Sequence, residues 1–267
     1  MAQREALSQV RISVRNLVEF VMRSGDLDDR RMAGAKKEAM QAGSRLHRKI
    51  QRRMGSDYQA EVSLKHTVKE DSFELLIEGR ADGIITEPGG VTIDEIKCIY
   101  MDPGRLEEPD PVHMAQALCY GTIYAVHHDL EEIGIQLTYC NIETEEIRRF
   151  KEVKTREELE DWFKGLIHEY VKWARYLYHH RMRRQECLKT LQFPYAYREG
   201  QKELAACVYR SVAEGRNLYI QAPTGVGKTL STVFPSLKAM GEGYGKSCFI
   251  SLPEPLRAAW QRRPLIS

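Results

Sequence analysis

The sequence has no closely spaced cysteine pair, no long apolar run and almost no net charge, and each absence removes a class of protein. Cys98, Cys119, Cys140, Cys187, Cys207 and Cys248 stand singly. Without a CxxC pair they build neither a disulfide scaffold nor a closed zinc site, and they read as small buried hydrophobes. No segment approaches the length of apolar chain that a membrane-spanning helix needs. The start, MAQREALSQVRISVRNLVEF, lacks the apolar core and small-residue cleavage site of a secretion signal, so a cytoplasmic location is expected. A formal charge of +2 is too small to specify a nucleic-acid partner by itself. Its distribution says more. Lys172, Arg175, Arg181, Arg183 and Arg184 occur with no acid between them, a pattern that suits a phosphate backbone or simply a solvated helix face.

What is present is an ordinary folding mixture, 42% apolar and 29% charged, and 267 residues suffice for one large core and the start of another. Residues 1–12 read as a loose N-terminus. Leu17, Val18, Val21 and Met22 then recur at helical spacing, with Gly25 as a stop. Helix is expected over about 31–54, where Gly43 is tolerated at about 1 kcal/mol. Residues 58–70, 72–86 and 91–98 read as three strands joined by tight turns, an antiparallel meander. The proline-bearing stretch 102–111 reads as loop, 113–128 as helix, and 133–141 and 146–153 as strands. A long helix is expected over 156–185, capped by Thr155 with Glu158. Its Leu159, Trp162, Phe163, Leu166, Ile167, Tyr170 and Trp173 form a stripe that reads as a packing face. Residues 13–186 thus compose a mixed α/β sheet domain. After a linker at 187–190, helices at 201–213 and 228–240 and strands at 217–221 and 246–252 suggest the opening of a nucleotide-binding α/β domain over 187–267. The ending, PEPLRAAWQRRPLIS, offers no acidic strand end for magnesium, so this unit reads as a beginning without its remainder.

Asp82, in GRADGII, and Asp94, Glu95 and Lys97, in IDEIKC, lie on neighbouring expected strands. Side chains alternate along a strand, so Glu95 and Lys97 share a face, and pairing through the intervening turn brings Asp82 toward Glu95. Two carboxylates suit Mg²⁺ or Mn²⁺, and a lysine suits an attacking water or developing negative charge. By spacing alone, Glu95 and Lys97 also fit a plain surface ion pair. His47 lies on the preceding helix as a further ligand candidate. Gln116 and Tyr120 stand four apart on one helix face. In this order and spacing the six residues resemble the PD-(D/E)xK nuclease superfamily, in its RecB-like and CRISPR-associated exonuclease branch, over roughly residues 13–180. The resemblance implies a restriction-endonuclease-like core. It makes His47, Asp82 and Glu95 metal ligands and Lys97 the catalytic lysine, with Gln116 and Tyr120 beside them. Two departures stand out. Ala81 occupies the position of the motif's proline, and the branch's cysteine set is missing, so no iron–sulfur cluster is expected. Glu61 reads as an ordinary strand acid rather than an auxiliary ligand.

Residues 222–229, APTGVGKT, differ from GxxxxGK[ST] only in opening with Ala222. Gly225 and Gly227 permit the turn that aims backbone N–H groups at phosphates, Lys228 suits the β- and γ-phosphates, and Thr229 suits Mg²⁺. Upstream, Phe193, Arg198 and Gln201 supply an aromatic, a cation and an amide suited to an adenine. The combination resembles the start of DinG/XPD-like superfamily 2 DNA helicases over about 191–252, which implies ATP as cofactor and places Gln201 in an adenine-recognising motif. Together the two resemblances imply metal-dependent DNA hydrolysis, on single-stranded DNA or single-stranded ends, joined to the incomplete P-loop (RecA-like) motor of an ATP-dependent helicase whose remainder is missing here. The competing readings are a non-catalytic DNA-binding module and a P-loop ATP-binding protein of another class.

Overall fold

The computed structural model describes residues 8–23, 35–223 and 225–251, and the chain falls into two compact units, Met1–Tyr176 and Leu177–Ser267. The first unit is built on six strands: β1 (Ser8–Ser13), β2 (Tyr58–Lys69), β3 (Phe73–Glu87), β4 (Gly90–Ile99), β5 (Glu132–Asn141) and β6 (Ile147–Thr155). With them run the helices α1 (Val14–Val21), α2 (Ala35–Arg53), α3 (Pro111–His128) and α4 (Arg156–Thr190, of which residues from Leu177 onward belong to the second unit), and one 3-10 turn at Pro103–Arg105. The sheet is mixed: β2–β3, β3–β4 and β5–β6 are antiparallel, and β1–β3 and β4–β5 are parallel. The expected meander is present as β2–β3–β4. The expected loose N-terminus is corrected for residues 8–12, which pair with β3 from Ser8 opposite Phe73 onward. Val10 and Ile12 supply a short alternation with a ready strand edge to add to. Gly25 and residues 31–34 lie outside the described residues.

The strand β3 is long enough to serve two neighbours along one edge. Its first half pairs with β1 as far as Glu78, its second half with β4 from Gly83, and β2 covers the other edge throughout. Residues 79–82 therefore lie in a fork where β1 and β4 part. Asp82 stands at the mouth of that fork. Its carboxylate accepts the Ile96 backbone N–H at 2.8 Å, a hydrogen bond made by a side chain where the ladder lapses.

The helices hold the fork in place. Pro111 opens α3, and the Asp110 side chain accepts from the backbone N–H groups of Val112 and His113. The helix is buried along Ala115–Ala117, Cys119–Ile123 and Ala125, against β4 and β5. Leu46 and Ile50 of α2 pack on Ile96 and Cys140. The α4 capping box forms as expected, Thr155 and Glu158 bonding reciprocally at 2.9 and 3.3 Å. Its apolar stripe is a packing face from Leu159 to Tyr170, whereas Trp173 is half exposed and meets Phe20 edge-on. Helix α4 continues through the expected linker at 187–190.

The second unit holds α5 (Gln201–Glu214) and α6 (Lys228–Gly241), close to the expected spans. The expected strands do not form: residues 217–221, and 246–251 of the second, carry no strand pairing. A strand segment needs a neighbour for its N–H and C=O groups, and among the described residues of this unit neither segment finds one. Tyr219 and Phe249 are more than nine-tenths exposed in consequence. Leu252 and the PEPLRAAWQRRPLIS ending lie outside the described residues.

Candidate active site and phosphate loop

In the first unit, the fork in the sheet opens into a cleft of about 1090 Å³ whose walls include His47, Asp82, Glu95, Lys97, Gln116 and Tyr120. All six residues singled out from the sequence meet there. Strand alternation separates Glu95 from Asp94. Asp94 turns to the opposite face, fully buried, where Thr138 Oγ1 donates to it at 2.6 Å and Gln136 Nε2 at 3.0 Å. It is a structural acid, and burial raises its pKa.

Glu95 and Lys97 point together into the cleft. Lys97 Nζ donates to Glu95 Oε1 at 2.8 Å and to Gln116 Oε1 at 2.5 Å. This is not the surface ion pair that spacing alone allowed, since the Glu95 side chain is 7% exposed. Glu95 Oε2 is buried with no hydrogen-bond partner among the described residues. An unsatisfied buried carboxylate oxygen costs free energy, and this one is open to a cation or a proton. Burial, and then the charge of Asp82, push the Glu95 carboxyl up to about 7.

His47 reaches in from α2. Its Nε2 lies 2.8 Å from the Ile96 carbonyl oxygen and 3.2 Å from Asp82 Oδ2. Burial by itself lowers its pKa, but the Asp82 hydrogen bond and charge, the Ile96 carbonyl and Glu95 outweigh that and push it up to about 8. The Tyr120 phenol is buried against Gly79, where a Cβ would stand 2.7 Å from Tyr120 Oη.

Glu61, read from the sequence as an ordinary strand acid, also lines the cleft. It lies across from Asp82 on β2 but makes no ladder pair, and its φ of 59° is left-handed, a conformation uncommon for a residue with a side chain. Ligand atoms of His47, Glu61 and Asp82 all lie within 4.8 Å of one another. Glu95 stands outside that grouping in the same cleft. Arg80 Nε pairs with Glu61 Oε2 at 2.5 Å, and Gln51 Nε2 donates to Glu61 Oε1 at 3.1 Å and to the Asp82 carbonyl at 2.9 Å. No motif at the sequence level marks Arg80 or Gln51.

In the second unit, Gly225 and Gly227 adopt φ of 87° and 77°. Gly227 is the N-cap of α6 and, among the described residues, no side chain caps that helix. Lys228 Nζ folds back on the loop, donating to the carbonyls of Ala222 at 2.7 Å and Pro223 at 2.9 Å. Gln201, expected to read an adenine edge, is hydrogen-bonded to the loop. Its Nε2 donates to the Val226 carbonyl at 2.9 Å and its Oε1 accepts from the Arg198 N–H at 2.9 Å. Arg198 Nη1 donates to the Gly225 carbonyl. Phe193 stacks on Tyr197 with ring centroids 4.1 Å apart. Thr229 opens α6 beside Lys228, and its carbonyl accepts from Thr232.

No family model matches the chain. A stretch of 47 residues is 47% identical to the probable ATP-dependent helicase MJ0942 of Methanocaldococcus jannaschii. The stretch is 17% of this chain, which spans 7% of that protein's length. The crystal structure of SSO0001 aligns with 62% of this chain and 77% of its own at a TM-score of 0.39 and 20% identity, too distant to inform function. No described helix is long and apolar enough to cross a membrane.

Proposed function

We propose that the first unit is a metal-dependent phosphodiesterase of the PD-(D/E)xK type acting on DNA, and that the second unit is the ATP-binding start of a helicase motor. The observation that carries the first part is the buried, unpartnered Glu95 Oε2 in a cleft it shares with His47, Asp82 and Lys97. The donor set, carboxylate oxygens with one imidazole, fits Mn²⁺ or Mg²⁺. His47, Asp82 and Glu95 would hold the ion, with Glu61 beside them. Such an ion supplies charge that polarises a phosphodiester and acidifies an attacking water.

The chain's own groups do the rest. The Lys97 ammonium, fixed between Glu95 and Gln116, is placed to orient that water and to stabilise negative charge building on phosphorus-bound oxygens. Gln116 sets the Lys97 rotamer from α3, and the buried Tyr120 supports the same helix face. Low solvent exposure at Glu95 and Gln116 strengthens each of these interactions.

The phosphate loop and the partial likeness to a probable helicase support the second part. Gly225, Gly227, Lys228 and Thr229 would receive the ATP phosphates and Mg²⁺. Gln201 and Arg198 act by holding the loop in shape.

The test is cleavage of end-labelled single- and double-stranded DNA with Mg²⁺ or Mn²⁺, wild type against Lys97→Ala. The expected result is metal-dependent product from the wild type and a loss of about 10²–10³-fold in the variant. Absence of product with both metals and both substrates overturns the hydrolase reading in favour of a DNA-binding module.

A further inference from the structure

Helix α2 carries two faces with different tasks. Leu46 and Ile50 anchor it, and His47 enters the cleft. The outward face carries Arg45, Arg48, Lys49, Arg52 and Arg53, which line a shallow surface depression of about 380 Å³. Their spacing of three and four residues keeps four of the five on one helical stripe, and no acid occurs on this helix from Gln41 to Arg53.

The ordinary explanation for such cations is support of the helix C-terminus, and it accounts for Arg52 and Arg53 in the last turn. It does not account for Arg45 and Arg48, two turns upstream. Surface pairing does not account for them either. Glu145 pairs with Lys49 and lies 3.6 Å from Arg53, and among the described residues no ion pair engages Arg45, Arg48 or Arg52. On α4, Lys172 pairs with Glu169 and Arg175 with Glu70. Both basic runs are partly neutralised, and on α2 it is Arg45, Arg48 and Arg52 that stay without an ion-pair partner among the described residues.

Arg48 also belongs to the wall of the cleft, so the stripe runs without a break into the candidate metal site. From Arg45 to Arg53 the helix advances about 12 Å, at about 1.5 Å per residue. Measured along a duplex axis, that covers the rise of about three phosphates of one strand.

We propose that the α2 stripe is the track along which the phosphate backbone of a DNA strand leaves the cleft, with Arg48 as the junction between track and site. This rests on the hydrolase reading only for the direction of travel. The binding itself needs no metal and no cleavage.

The experiment measures anisotropy of labelled single-stranded DNA, duplex DNA and RNA with the full chain in EDTA across a salt series. Wild type is compared with Arg45→Ala/Arg52→Ala and with Arg45→Lys/Arg52→Lys. A control, Lys65→Ala/Lys69→Ala, removes two exposed charges from β2. The track predicts weaker binding for the alanine pair and a salt slope shallower by about two, near 0.9 per lost duplex contact. The lysine pair keeps the slope, and the control behaves as wild type. Unchanged affinity and slope in the alanine pair overturn the track, as does an equal loss in the control. Equal retention of anionic phosphatidylserine vesicles, lost in the same pair, overturns DNA as the occupant, and so does RNA bound in preference to both DNAs. If the wild type fails to cleave yet the alanine pair loses DNA, the hydrolase reading falls and the track stands. If the wild type cleaves and the pair binds normally, the track alone falls.

Discussion

Two ionisable groups in the cleft carry opposite formal charges and respond to pH with the same sign. The folded pKa of His47 lies near 8, above its ordinary value of 6.5, so its stabilisation is complete below 6.5 and is lost as pH rises through 8. The Glu95 carboxyl lies near 7 rather than 4.5, so the folded chain holds a proton that the unfolded chain releases, and stability again falls as pH rises between those values. Metal-free protein is therefore expected to lose stability steadily from pH 5 to 8.5, with about 2 kcal/mol attributable to His47 alone. Urea unfolding in EDTA at several pH values checks this, and His47→Ala should flatten the upper part of the curve. A profile that rises over this range would remove both assignments. Because a ligand imidazole must first give up its proton, Mn²⁺ affinity should climb with pH up to about 8. Glu61→Gln should weaken Mn²⁺ binding about tenfold if its carboxylate joins the set, read by calorimetric titration; equal affinity would return Glu61 to the role of an ordinary strand acid.

At the scale of elements, the fork between β1 and β4 depends on tight contacts across β3. A methyl group at Gly79 would meet Tyr120 Oη at 2.7 Å and Cε1 at 2.9 Å, so the Tyr120 ring, on the α3 face that also carries Gln116, must shift. Gly79→Ala is expected to cost about 1–3 kcal/mol and to reduce cleavage together with stability, measured by melting and by the end-label assay. Ile50→Ala tests the other wall. Removing an anchor that is 2% exposed should cost about 2–5 kcal/mol and loosen His47 with it. The meander and the facing of Glu95 and Lys97 were legible in the sequence because local alternation and one tight turn determine them. The fork was not. The strand β1 is six residues long and pairs with residues 65 positions away, and nothing local distinguishes it from a loose terminus. The nearness of Glu61 to Asp82 and His47 was not legible for a related reason: its left-handed backbone is imposed by tertiary surroundings and leaves no mark in residue type.

Over the whole chain, the two units should respond to different ligands. Mn²⁺ should raise the melting of the first and ATP with Mg²⁺ that of the second, by mass action on each folded form. Lys228→Ala should remove the ATP effect and leave the Mn²⁺ effect untouched, which calorimetry can resolve; loss of both would show that the units do not bind independently. The second unit also marks where reading by pattern fell short. Its helices were legible from periodicity, but the apolar runs at 217–221 and 246–251 promised strands whose existence depends on a sheet that the described residues do not provide. Those runs hold Tyr219 and Phe249 almost wholly in solvent. Bare aromatic segments of this kind are the first places a protease finds and the first places two molecules stick. Chymotrypsin should nick the chain there before it touches the sheet of the first unit, and recombinant protein should clump with rising concentration until something covers them.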